Sequence, residues 1–273
     1  MIRRKFRMRY AVANSVFLCL CLIVMSLICV DMSDAIVRAE NLVGLWTFDE
    51  GSGNTANDAS GNNNHGKLNG DTKWVNGQFG TALQFDGDMD YVEVLHDETL
   101  NIVDELSIVV WVKFEQIPGR ENVLLDKGPK DGNSQYYLGY QPAEEAYFLN
   151  FYGQRWHAGD DFNSPATADT DWHHVAVTFD SLSGEIKSCV DGACDEHQTD
   201  DFLVEKGEDS LIIGDARFLE TNRDFSFSGI FDEIAIYNVV LTENEIKILA
   251  SGSMAEVALE GKLTTTWGQL KKP

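Results

Sequence analysis

Carboxylates and carboxamides, rather than histidines or thiols, carry the spacing in this sequence that could hold a ligand. The stretch Asp58–Gly66 (DASGNNNHG) offers Asp58, Ser60, Asn62, Asn63 and Asn64, with Gly61 and Gly66 permitting tight turns. Asp49 precedes it, and Asp232 lies near the start of the late run Phe231–Ile246 (FDEIAIYNVVLTENEI). Oxygen donors without a His or Cys cluster suit calcium better than zinc. Asp49, Asp58, Asn62 and Asp232 are the expected ligands. The same residue types also build Asx and Ser/Thr turns and cap backbone N–H groups, and the sequence leaves both uses open. Asp232 is in phase with Ile230, Ile234 and Ile236, so alternation expects its carboxylate to point inward at the rim of the fold. There it must be paired, hydrogen-bonded or bound to a metal.

A second candidate surface is aromatic. Tyr136, Tyr137, Tyr140, Tyr147, Tyr152, Trp156 and His157 fall close together, interleaved with Asn150, Gln154 and Arg155. Aromatic faces beside a few amides are what a sugar ring needs, an apolar platform with groups for its hydroxyls. Alternation lets only one of the sets Tyr147/Leu149/Phe151 and Phe148/Asn150/Tyr152 face outward. The set with the polar Asn150 is expected outside, so Asn150, Tyr152, Gln154 and Trp156 are the expected ligand-binding residues. Trp46, Phe48, Phe85, Trp111, Trp172 and Phe179 are expected in the core. His173 and His174, a pair without a further ligand, are expected to be structural.

Catalytic patterns are missing from the chain. There is no GxSxG, no HExxH and no nucleophilic Cys–His arrangement. Retaining glycosidases need two carboxylates about 5–5.5 Å apart. The adjacent Asp232 and Glu233 would point to opposite faces of a strand. No catalytic residue is expected.

These side chains need a frame, and the frame reads as all-β. Leu106–Phe114 (LSIVVWVKF) alternates Leu106, Ile108, Val110, Val112 and Phe114 against Ser107, Val109, Trp111 and Lys113. Val175–Phe179, Tyr147–Tyr152, Leu211–Gly214 and Ile230–Tyr237 are further short runs bounded by turn residues. Such strands at this spacing predict a two-sheet antiparallel sandwich. One helix is expected over Glu243–Ala250, with Thr242 and Glu245 forming a capping box and Gly252 beyond its end. Cys189 and Cys194 flank Asp191-Gly192, a two-residue hairpin signal that sets Val190 against Ala193 and Cys189 against Cys194. A cross-strand disulfide is predicted.

The ordered set LWTFDEGSG, DASGNNNHG, GQFGTALQFDG, DWHHVAVTFD, VDG and FDEIAIYNVVLTENEI resembles the LamG-like jelly roll, related to laminin G and pentraxin domains. That family sits within the concanavalin A-like lectin/glucanase superfamily. The likeness runs from about Leu42 to Gly252. It implies a jelly-roll sandwich whose first and last strands are neighbours, which would draw Asp49 and the Asp58–Gly66 loop toward Asp232. It implies a non-catalytic module that binds a glycan or an extracellular protein, and it strengthens the case for calcium. The glucanase branch carries paired acids in a pattern like E-x-D-x-x-E, and the Phe231–Ile236 stretch lacks the later Glu. The rival function is a structural or adhesive surface protein that uses the domain for protein–protein contact. A glycoside hydrolase ranks behind both.

Residues 1–39 read as an export signal, with Arg3, Arg4, Lys5, Arg7 and Arg9 ahead of the apolar run Ala11–Val30 and a small-residue end at Val37-Arg38-Ala39. The alternative is an uncleaved anchor, since the run is long enough to span a bilayer. The jelly-roll domain is expected over residues 40–252, with 253–273 a tail, and the protein is expected to be secreted or at the cell surface or periplasm. Six of the 21 basic and two of the 44 acidic residues fall in 1–39, leaving 15 basic against 42 acidic, a net of −27. Such a surface repels nucleic acid and anionic lipid. Membrane contact is expected only through the N-terminal segment.

Overall fold

The computed structural model describes residues 39–128, 134–143, 145–151, 169–199, 204–216 and 225–254. The chain runs through β1 (Leu42–Trp46), β2 (Thr55–Ala56), β3 (Gly66–Asn69), β4 (Lys73–Asn76), β5 (Thr81–Asp86), β6 (Tyr91–Val94), β7 (Glu105–Phe114) and β8 (Asn122–Lys127). It continues through β9 (Tyr136–Gln141), β10 (Ala146–Asn150), β11 (His173–Asp180), β12 (Glu185–Val190), β13 (Ala193–Gln198), β14 (Leu211–Ile213) and β15 (Ser228–Tyr237), and ends in helix α1 (Glu243–Ala250). One sheet has the order β13-β12-β11-β7-β15-β5-β4, with β1 also on β15, and the other the order β10-β9-β8-β14-β6-β3-β2. All strand pairs are antiparallel, so the expected two-sheet sandwich is what the chain forms.

The alternation of β7 sets the layers. Leu106, Ile108, Val110, Val112 and Phe114 join the core between the sheets, with Val175, Val177 and Phe179 from β11 and Tyr136, Leu138 and Tyr140 from β9. Val109 and Trp111 face the other way, into a second cluster with Leu42, Leu45, Ala176, Ala235 and Tyr237 that α1 covers through Ile246 and Leu249. A ten-residue strand thus buries both faces, each against a different layer. Thr242 caps α1 by accepting from Glu245 N–H while the Glu245 carboxylate accepts from Thr242 N–H, the reciprocal box the sequence predicts. Ser107 Oγ donates to Val239 O and accepts from Leu241 N–H, tying the approach to α1 onto β7. Packing runs on through Met254, which is fully buried in this cluster.

β15 changes partner along one edge. Ser228–Phe231 pair with β5, and Ile234–Tyr237 with β1. On its β7 edge Asp232 opposes Trp111 and Ala235 opposes Val109, so Glu233 and Ile234 together face Val110. Two residues against one is a β-bulge, and Glu233 takes a φ of 45° within it. The bulge reverses the phase of the strand. Before it Phe231 faces the core, stacked on Phe227 and edge-on to Phe85; after it Ile234 and Ile236 do. Asp232 is therefore in phase with Ile230 alone, and its side chain lies on the outer face of the sheet, not inward between the sheets as strict alternation expects.

Candidate functional site

The four expected oxygen ligands serve two different loops. Asp58 and Asn62 wind the Asp58–Asn64 turn onto β1. Asp58 Oδ1 accepts from Leu45 N–H (3.0 Å) and Ser60 N–H (2.8 Å), and Oδ2 from Ser60 Oγ (2.8 Å) and Asn64 N–H (2.9 Å). Four acceptances fill what a carboxylate offers. Asn62 Nδ2 donates to Leu42 O and Val43 O, both at 2.9 Å. These are the turn-building roles the residue types allow.

Asp49 and Asp232 hold the ends of the turn Gly77–Gly80, which closes with a Gly77 N–H to Gly80 O bond of 3.1 Å. Asp232 Oδ2 accepts from Phe79 N–H at 2.9 Å and Asp49 Oδ1 from Thr81 N–H at 3.0 Å. A Cβ on Gly77 would stand 2.4 Å from Asp232 Oδ2, and one on Gly80 2.0 Å from Asp49 Oδ1. The two glycines of this turn are what let the carboxylates in. Burial pushes the Asp232 carboxyl up to about 7; Glu233 and Asp49 add to the rise, and the Phe79 N–H opposes it. Its Oδ1 is buried without a partner among the described residues. Glu233, next in the bulge, accepts from Ser253 Oγ and Met254 N–H. No group of three His, Cys, Asp or Glu side chains placed to hold a metal occurs among the described residues.

The aromatic segment divides as a strand must. Tyr147, Leu149 and Phe151 face the core, where Tyr147 packs edge-on to Tyr140 at 5.1 Å and Phe151 meets Phe179 at 4.4 Å. Phe148 and Asn150 point to the outer face of the seven-stranded sheet beside Tyr137, whose ring lies 5.6 Å from that of Phe148. Gly139 between them leaves the room, since a Cβ there would stand 2.6 Å from Phe148 Cζ. Tyr137 OH donates to Glu121 Oε1 at 2.8 Å. Asn150, Tyr137 and Asp126 form one cross-strand row. Asn150 is half-buried, and its Oδ1 is enclosed with no hydrogen-bond partner among the described residues. Tyr152, Gln154 and Trp156 lie outside the described residues.

The histidine pair is more differentiated than its spelling suggests. His173 bridges Asp191 Oδ2 (2.8 Å, through Nδ1) and Asp169 Oδ1 (3.0 Å, through Nε2). Burial works to lower its pKa, and the two carboxylates outweigh it and raise it. His174 is fully buried, pushed down to about 4 by that burial, and sits edge-on to Trp111 with ring centroids 5.3 Å apart. Both its ring nitrogens, and Trp111 Nε1, lack partners among the described residues. Trp111 belongs to the cluster under α1 rather than to the core between the sheets. The sequence signal for His174 and Trp111 was their phase: His174 alternates against Val175 and Val177, and Trp111 against Ile108, Val110 and Val112.

The disulfide is in place. Cys189 and Cys194 are joined across the hairpin with Cα atoms 4.0 Å apart, Val190 faces Ala193, and Asp191 and Gly192 turn at φ 52° and 77°.

Comparison with known proteins gives this frame a family. A model of the concanavalin A-like lectin/glucanases superfamily, Laminin_G_3, matches residues 86–247, more than half the chain. The chain belongs to that superfamily. It is 28% identical over 101 residues to the mouse sushi, von Willebrand factor type A, EGF and pentraxin domain-containing protein 1, and 29% over 102 residues to the rat protein. Each match takes in 35% of this chain and only 3% of those long relatives. Among solved structures, domain 4 of the extracellular arabinanase AbnA from Geobacillus stearothermophilus, in complex with arabinotriose, superposes with a TM-score of 0.60 at 22% identity, over 77% of this chain and 98% of that one. The binding domain of botulinum neurotoxin DC in complex with rat synaptotagmin II gives 0.59 at 14%, over 79% and 52%. Trypanosoma rangeli sialidase with sialic acid gives 0.59 at 16%, over 81% and 34%. At these identities the likeness is one of fold.

Proposed function

We propose that this protein is an exported, non-catalytic binding module that takes a glycan chain on the outer face of its seven-stranded sheet. The observation that carries the reading is the enclosed, unpartnered Asn150 Oδ1 beside the Tyr137–Phe148 ring pair. A buried amide oxygen without a donor is costly, and a sugar hydroxyl would supply one beside the buried Tyr137 and Phe148 rings. The arabinotriose bound to the AbnA domain, nearly all of which this chain covers, supports the choice of ligand class. The carboxylates of Asp58, Asp232 and Glu233 are each engaged in holding backbone, which supports a role without catalysis. The basic and apolar run in residues 3–30 supports export.

A glycan array, run with calcium and with chelator, tests this. Wild-type protein binds a neutral polysaccharide, and Asn150→Ala weakens it about fivefold, the worth of one neutral hydrogen bond of about 1 kcal/mol. An array with no binding, or an Asn150→Ala variant that binds like the wild type, overturns it. Capture of an extracellular protein with no glycan bound would give the adhesive role instead. Calcium enters the proposal at Asp49, which keeps one oxygen outside the bond that holds the Gly77–Gly80 turn. In that case calcium raises the melting temperature of the wild type but not of Asp49→Asn, and magnesium substitutes poorly.

A further inference from the structure

Three neighbouring strands of the eight-stranded sheet place Asp232, Trp111 and His174 side by side. Asp232 of β15 opposes Trp111 of β7, and Trp111 opposes His174 of β11. All three point away from the core between the sheets, and all three are buried. Asp232 Oδ1, Trp111 Nε1 and both ring nitrogens of His174 find no partner among the described residues. One orphaned buried group is tolerable; four in a single row are not, because each forfeits a hydrogen bond it would make in water.

The arrangement narrows what fills the row. Its ends are two strand spacings apart, about 10 Å, whereas calcium holds its donors at 2.3–2.6 Å and so spans about 5 Å. One ion cannot serve both ends, and no cation can accept from an indole N–H. An anion would meet Asp232 together with its neighbours Asp49 and Glu233. An apolar molecule would leave the polar atoms as they are. Carboxylate accepts, indole N–H donates, and neutral imidazole does both; the group that answers this sequence is the hydroxyl. Phe79, half-buried and edge-on to Trp111 at 5.7 Å, and half-buried Trp172 supply aromatic surface beside the row.

We infer that the Asp232–Trp111–His174 row is a second ligand site, on the sheet opposite the face proposed above, and that it takes a neutral polyhydroxylated molecule of the size of one sugar residue. Ordered water is the competing occupant, and the experiment separates the two. Tryptophan emission of the purified protein is titrated with arabinose, glucose and arabinotriose. A saturable change is expected for at least one of them. Trp111→Phe, which removes the N–H and keeps a ring, and Asp232→Asn, which replaces the free acceptor by a donor, each weaken it at least fivefold. Phe79→Ala, outside the buried row, weakens it too, and remains decisive should either buried variant fail to fold. A flat titration with every sugar leaves water as the occupant and overturns the proposal. So does an affinity that Asn150→Ala lowers and Phe79→Ala, Trp111→Phe and Asp232→Asn do not.

Discussion

Asp232 and His174 sit on either side of Trp111, and burial moves their titrations in opposite directions. The carboxyl rises to about 7 and the imidazole falls to about 4. The folded state therefore holds the Asp232 proton that an unfolded chain would release, and stability from this group is lost as pH climbs from about 4 to 7. For His174 the unfolded chain binds the proton first, so its contribution is lost as pH falls from 6.5 toward 4. The two slopes oppose one another across nearly the same window. Asp232→Asn should make unfolding free energy rise with pH between about 4 and 6.5, and His174→Phe should make it fall, each measured by urea melts along a pH series. Parallel behaviour of wild type and both variants would refute the assignment. His173, raised by Asp191 and Asp169, adds to the side that weakens on going alkaline.

At the scale of elements, the hairpin β12–β13 and helix α1 were readable because their signals are local. Cys189, Asp191-Gly192 and Cys194 fix a register within six residues, and Thr242 with Glu245 fixes a helix start within four. Thr242→Ala should cost about 1 kcal/mol, read as a lowered thermal midpoint. Mass spectrometry of the purified protein under non-reducing conditions should find Cys189 and Cys194 in one linked peptide. Replacing both by alanine should cost less than the ~3 kcal/mol expected for a 15-residue loop, because the loop closed here is far smaller. The direction of Asp232 was not readable, since it depends on the bulge at Glu233, where β15 passes from β5 to β1. Nothing in FDEIAIY marks an extra residue. The Asp232–Trp111–His174 row is hidden for a related reason: its neighbouring members are separated by 121 and 63 positions and meet only through strand register.

For the whole molecule, the sandwich and its family were legible from the ordered motifs and the alternation of Leu106–Phe114, which are properties of many residues at once. The expected ligand sets were less so. Asp58 and Asn62 proved to be spent on backbone, and Asn150 keeps an open acceptor for a reason of packing that no spacing records. Asn41 and Asn238 join side chain to side chain at 3.0 Å, Asn238 N–H reaches Asn41 O, and Leu42 shares a cluster with Met254. The domain is thus entered and left at one place, beneath α1, like a bead hung from a single point. A circular permutant joining Ala39 to Met254 through a short linker and opened at the exposed Leu182 should fold with a cooperative melt. Spliced into a longer polypeptide, the domain would stand out sideways with its seven-stranded face turned from the stem, and tension along that polypeptide would bypass it.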